Sequence, residues 1–117
     1  MRNFRNFIIW TEAIKVSKTV YEITQNFPNH EKYGLSNQMQ RASVSIASNI
    51  AEGASRKSDV EFARYLEISI GSSFELETQL TISNELGYVN NADFSSFLTD
   101  LNSLQKQINQ FITKLRS

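Results

Sequence analysis

The chain of 117 residues has no cysteine, one histidine and one proline. Without cysteine there is no disulfide framework, no thiolate nucleophile and no thiolate metal site, which suits a reducing cytoplasm. The lone histidine, His30, sits two residues after Pro28, where a loop is expected. Zinc then has no ligand set. A di-iron bundle needs Glu-x-x-His on facing helices, and the residue three before His30 is Phe27. No metal and no cofactor are therefore expected. The longest apolar run near the start, Phe7 to Trp10, is too short for a signal peptide or a membrane span. No membrane partner is expected, and the expected location is the cytoplasm.

Net charge is also missing: 12 basic residues balance 12 acidic ones. A neutral chain argues against a dedicated nucleic-acid binder. The charges are nevertheless segregated. Residues 1–18 carry +3, residues 19–58 carry +1, residues 59–100 carry −7 and residues 101–117 carry +3. Such a distribution can produce a basic face and an acidic one. A hydrophobic content of 40% against 21% charged residues places the chain among folded proteins rather than disordered ones.

What is present is helical periodicity. Trp10, Ala13, Ile14, Ser17, Val20, Tyr21, Thr24 and Phe27 recur on one stripe, which predicts a helix over about 9–26, stopped by Pro28. A second helix is expected over 35–53, ended by Gly53 in the left-handed region. Ser58-Asp59-Val60-Glu61 reads as a capping box opening a third helix over 59–86, roughly 43 Å long at 1.5 Å per residue. Gly87 ends it. Asn91 is a candidate cap for the fourth helix, over 92–115, whose Phe94, Phe97, Leu98, Leu101, Leu104, Ile108, Phe111, Ile112 and Leu115 make a 3–4 stripe. Four helices with short joints predict a single all-α domain, 1–117, folded as an antiparallel up-and-down four-helix bundle. Gly71, inside the third helix, is either tolerated or marks the close approach of a neighbouring helix.

The second helix is unusual for its lack of charge. Leu35, Met39, Ala42, Ile46 and Ile50 make its apolar front, and Val44, Ala47, Ala51 and Ala54 one flank. Gln38, Arg41, Ser45, Asn49 and Glu52 make the other flank, a polar stripe at spacings of three and four. Antiparallel pairing about Arg56 brings Arg41 level with Gly71, near Ser72 and Glu75. The expected arrangement is a polar seam in which Arg41 bonds Glu75 while Gln38, Ser45 and Gln79 satisfy the remaining groups. Its expected role is structural: it holds helices or subunits in register.

No Walker loop, dinucleotide fingerprint or nucleophile elbow is present. Glu75 and Glu77 point to different faces and form no carboxylate pair. No catalytic residue is assigned. Candidate nucleic-acid contacts are Arg2 and Arg5, interleaved with Phe4, Phe7 and Trp10 in a mixture that can contact phosphate and stack on bases. The same arm can instead pack its aromatics on its own bundle. Arg56 and Lys57, in the turn after the seam, can touch phosphate or simply face water. Lys15 and Lys18 add positive charge to the first helix, where solvated-face charges are ordinary.

Several residues together carry a family resemblance. They are Trp10, Phe27-Pro28, Glu31, Tyr33-Gly34-Leu35, Gln38, Arg41, Ser45-Ile46 and Asn49-Ile50-Ala51-Glu52-Gly53. Phe62, Leu66, Gly71-Ser72, Glu75-Leu76-Glu77, Gln79-Leu80 and Leu86-Gly87-Tyr88 continue it. In these the chain resembles the four-helix-bundle family encoded by intervening sequences within bacterial 23S rRNA genes, to which accessory proteins of diversity-generating retroelements are related. The resemblance implies a homopentamer around a central channel. It also implies an RNA-linked context, since the retroelement relatives bind reverse transcriptase and nucleic acid through a basic surface. The expected partners are thus further copies of the chain, and RNA or a nucleic-acid-processing protein. The expected role is a non-enzymatic accessory or scaffold, with a protein–protein adaptor that binds no nucleic acid as the alternative.

Overall fold

A computed structural model of the protein describes residues 2–117. Four α-helices account for most of it: α1 (Ile8–Thr24), α2 (Leu35–Ala54), α3 (Asp59–Glu85) and α4 (Asn91–Arg116). Two single 3-10 turns, Phe4–Asn6 and Asn29–Glu31, precede α1 and α2. No strand occurs among the described residues. Contacts run α1–α2, α2–α3, α3–α4 and α4–α1, so the helices stand at the corners of a square and alternate in direction. The bundle measures 43 × 24 × 20 Å. The fold is the all-α four-helix bundle that the periodicity predicts.

The sequence explains several helix ends. The chain leaves α1 at Thr24, two residues before the expected Asn26, through tighter turns in which Asn26 N donates to Ile23 O at 3.3 Å and Phe27 N to Thr24 O at 3.1 Å. Phe27 then turns inward and is buried beside Tyr88, with ring centroids 5.3 Å apart. Ser58 Oγ accepts from Glu61 N at 3.1 Å, the capping interaction read from the sequence. The cap of α4 is Asn90, not Asn91: Asn90 Oδ1 accepts from Asp93 N at 2.8 Å. Asn91 Oδ1 instead accepts from Asn84 Nδ2, tying α4 to the end of α3.

Two glycines matter for different reasons. Gly87 adopts φ +80°, the left-handed conformation that closes α3. Gly53 was expected to do the same for α2 but lies inside the helix, which runs on to Ala54. Its constraint is steric. A Cβ there would meet Tyr65 Cβ at 2.6 Å and Phe62 Cδ1 at 2.9 Å, so the missing side chain lets α3 come close to α2. Gly71 is the opposite case: nothing lies within 4 Å of a Cβ built on it, so no helix of this chain approaches it closely.

Met39, Ile46, Ile50, Phe62, Leu66, Leu76, Leu80, Leu101, Leu104 and Ile108 are fully buried. They line the bundle axis from all helices but α1, which adds Ala13, Val16 and Val20. Each large side chain contributes about 1.5–3 kcal/mol by leaving water. Phe97, Leu101, Leu104, Ile108 and Ile112 of the α4 stripe and the α2 front from Met39 to Ile50 are therefore core, while Leu35, Phe94, Leu98, Phe111 and Leu115 are half-buried at its margin.

Candidate functional site

Two surfaces hold the polar groups singled out in the sequence. The first is the groove between α2 and α3. Ser45 Oγ and Ser72 Oγ lie 2.9 Å apart across it. Asn49 Nδ2 donates to Ser45 O at 2.8 Å and to Ser45 Oγ at 3.0 Å. One turn deeper, Ser69 Oγ donates to Ile46 O at 2.8 Å. These contacts set a register in which Arg41 stands about one turn further along α3 than Gly71, beside Glu75.

The expected Arg41–Glu75 bond does not form. Both side chains are exposed, and no ion pair joins either to any described residue. They flank a depression of about 570 Å³ together with Gln38, Thr78 and Gln79. The physical reason is exposure: at a solvated surface an ion pair gains little, and fixing two long side chains costs entropy. Gln38 makes no side-chain bond that would satisfy Gln79. Gln79 is 8% exposed, and its Oε1 is buried with no hydrogen-bond partner among the described residues. Such an orphan costs about 1–3 kcal/mol. Glu52 is exposed near the end of α2, and its backbone carbonyl, not its carboxylate, accepts from Ser55 Oγ at 2.6 Å. So Ser45, Asn49 and Ser72 form a bonded seam. Gln38, Arg41, Glu75 and Gln79 form an open polar depression at one end of it, and Glu52 stands apart.

Other polar links went unread in the sequence. Ser17 Oγ meets Ser43 Oγ at 3.1 Å between α1 and α2. Asn102 Nδ2 and Gln105 Nε2 both donate to Glu77 Oε1 at 3.0 Å between α3 and α4. Serines at helical spacing on apolar faces were the available signal for the first. Glu77, one residue from the buried Leu76 and on the α4 side, was the signal for the second. Near the other end of the bundle Tyr88 Oη donates to Glu31 Oε2 at 3.0 Å, while Glu31 Oε1 accepts from Leu35 N at 3.2 Å. Burial raises the Tyr88 phenol above its ordinary value of 10.0, and the hydrogen bond and negative charge of Glu31 raise it further. His30 Nε2 lies 3.3 Å from the same hydroxyl at an exposed position.

The second surface is the end of the bundle where α1 and α3 begin and α2 and α4 finish. The topology gathers Arg2, Arg5, Arg56, Lys57, Arg64, Lys114 and Arg116 here, against Glu52, Asp59, Glu61 and Glu67. The opposite half holds Glu22, Glu31, Glu75, Glu77, Glu85, Asp93 and Asp100, against Lys18, Lys32, Arg41 and Lys106. Glu12 and Lys15 lie nearer the waist. The bundle is thus basic at one end and acidic at the other, although the chain is neutral.

The basic end is not uniformly free. Arg2 bonds Asp59, donates to Arg56 O at 2.7 Å and lies over the Phe62 ring at 4.8 Å. Its charge is therefore partly spent inside the fold. Arg56 donates to Tyr65 Oη at 2.6 Å, with its guanidinium over that ring. Arg116 pairs with Glu67 at 2.8 Å. Arg5 lies over Phe4, and neither it nor Lys57, Arg64 or Lys114 makes an ion pair with a described residue. The aromatics of the N-terminal arm pack on their own bundle: Phe4 edge-on to Trp10 at 5.2 Å, Phe7 against Phe62 and Phe111 at 6.0 and 5.1 Å. All three rings of the arm are half-buried. Lys15 pairs with Glu12 at 3.3 Å, and Lys18, also on α1, stands away from the Arg2–Arg56 cluster.

Beside the arm, an apolar depression of about 700 Å³ is lined by Phe7, Ile8, Phe62, Phe111 and Leu115, with Arg2 and Lys114 at its edge. Among the described residues there is no cluster of three or more His, Cys, Asp or Glu that could hold a metal, and no helix long and apolar enough to cross a membrane.

The family model described as 23S rRNA-intervening sequence protein matches residues 5–110. A crystal structure from Bacteroides thetaiotaomicron VPI-5482, titled as a protein with unknown function from the S23 ribosomal protein family, superposes with a TM-score of 0.80. It is 20% identical and covers 90% of this chain and 98% of its own, a likeness in fold. No curated protein matches the chain.

Proposed function

The chain belongs to the 23S rRNA-intervening sequence protein family, and from that premise we propose that it is an oligomeric, non-enzymatic bundle serving as an accessory or scaffold in an RNA-linked, cytoplasmic setting. The observation that carries this reading is the separation of charge along the bundle. Arg5, Lys57, Arg64 and Lys114 share one end, and carboxylates crowd the other. Phosphate contact needs cations that are not already committed, and these four supply them. The family resemblance supports a ring of five copies. In a ring with parallel subunits all five basic ends share one rim, so a modest patch is multiplied. The packing of the arm's aromatics on their own bundle favours contact with the backbone over stacking on bases.

The test is binding of the protein to 23S rRNA fragments as salt is raised. An electrostatic grip appears at about 50 mM salt and weakens steeply towards about 200 mM. Absence of binding at the lower salt overturns the nucleic-acid reading and leaves a protein–protein adaptor.

A further inference from the structure

The depression between α2 and α3 holds two opposite charges that do not meet. Arg41 and Glu75 both line it, both are exposed, and neither forms an ion pair with a described residue. Gln79 lines the same depression but is more than nine-tenths buried. Its Oε1 is the one enclosed side-chain oxygen or nitrogen without a hydrogen-bond partner among the described residues. With the oxygen enclosed, the N–H2 end of the amide is the part that reaches the depression, and it too bonds no described residue. A buried amide unpaired at both ends is a departure from ordinary packing that a bound group would account for.

The three unmet groups define the chemistry of what fits. A guanidinium presents a planar fork of N–H donors that matches a carboxylate. The Glu75 carboxylate accepts from an ammonium. The Gln79 N–H2 donates to the same carboxylate that Arg41 holds. Turned over, its oxygen accepts from the ammonium, so either end of the amide has a counterpart. A lone anion is repelled by Glu75 and a lone cation by Arg41. A molecule carrying both charges a few bonds apart meets neither penalty. The depression, about 570 Å³, lies within the roughly 300–1,000 Å³ of small-molecule sites. Gln38 and Thr78 complete its wall and add no charge.

We propose that the α2–α3 depression binds a free α-amino acid, its carboxylate held by the Arg41 guanidinium and the Gln79 N–H2 and its ammonium by Glu75. The site stands independently of the RNA-linked, oligomeric role above. Recognition falls on the two main-chain charges, since the rest of the wall is neutral. Both charged side chains are solvated, so each contact is weak and the dissociation constant lies in the millimolar range. A site of that affinity responds to a metabolite that is abundant rather than scarce.

The experiment is a titration of the full-length protein with L-alanine, followed by NMR at the Gln79 side-chain amide and the Arg41 Nε–H. Saturable shifts of both signals are expected. N-acetyl-L-alanine lacks the ammonium and L-alaninamide lacks the carboxylate. Each is expected to bind about fivefold or more weakly than L-alanine, the upper worth of one exposed ion pair. Arg41→Met and Glu75→Gln are each expected to weaken L-alanine binding by a similar factor. Both positions are exposed, so the rest of the spectrum should match that of wild type and reports the fold directly. Shifts that fail to saturate, or that leave the Gln79 amide unmoved, overturn the site. Equal binding of the three probes overturns the two-charge recognition, and unchanged binding in both variants overturns the residues assigned to it.

Discussion

Ser45 Oγ and Ser72 Oγ meet at 2.9 Å, and this contact fixes the register of α2 on α3. Asn49 donates to the same hydroxyl, so a three-member chain of small polar groups links two helices whose fronts are otherwise apolar. Ser72→Ala is expected to lower stability by about 0.5–1.5 kcal/mol, the net value of one part-buried hydrogen bond. A double-mutant cycle with Ser45→Ala in urea measures the coupling. A coupling near zero contradicts the role given to the pair.

The two helical glycines should respond in opposite directions to the same substitution. Gly53→Ala drives a Cβ into Tyr65 and Phe62 and is expected to cost about 1–3 kcal/mol by overpacking. Gly71→Ala meets open space and is expected to stabilise the bundle by up to about 1 kcal/mol through helix propensity. Thermal unfolding of both variants decides.

Glu77 holds the amides of Asn102 and Gln105 at 3.0 Å, joining α3 to α4. Glu77→Ala strands the buried Gln105 amide and is expected to cost about 1–3 kcal/mol. Glu77→Gln keeps an acceptor at the same place and should recover part of that loss. Urea denaturation of the pair separates the hydrogen bonds from the charge.

Tyr88 gives the pH dependence. Its phenol is raised in the folded state, so above pH 10 the unfolded chain releases this proton before the folded one does. The folded state then binds more protons, and stability falls as pH rises through and beyond that value. The stability of wild type relative to Tyr88→Phe should therefore be largest near neutrality and shrink above pH 10. A difference that stays constant over this range contradicts the assignment.

The parts of the fold that were legible follow from periodicity and caps. The α4 stripe, the apolar front of α2 and the Ser58 cap each depend on residues close in sequence, so local spacing was enough. Gly53 was misread because its constraint comes from Phe62 and Tyr65 on another helix, which no local pattern reveals. Asn90 and Asn91 offer identical chemistry one residue apart, and only the backbone path selects Asn90. The polar stripe on α2 was visible. Its expected Arg41–Glu75 bond was not formed, because periodicity specifies a face without saying how solvated that face is. The basic end was hidden in the linear charge profile, since it takes antiparallel folding to bring Arg2 and Arg5, the Arg56–Lys57 turn and the end of α4 together.

The most direct measurement of the functional account compares RNA binding by two folded variants of the oligomer, each carrying two charge reversals. Arg5→Glu with Lys57→Glu alters the basic end, and Lys18→Glu with Lys32→Glu makes the same change in net charge away from it. The account predicts that the first loses most of its affinity, and that its salt dependence falls by about 0.7 per lost phosphate contact on single-stranded RNA. The second should stay near wild type. Equal losses in the two variants, or unchanged binding in the first, would contradict the claim that the basic end grips RNA.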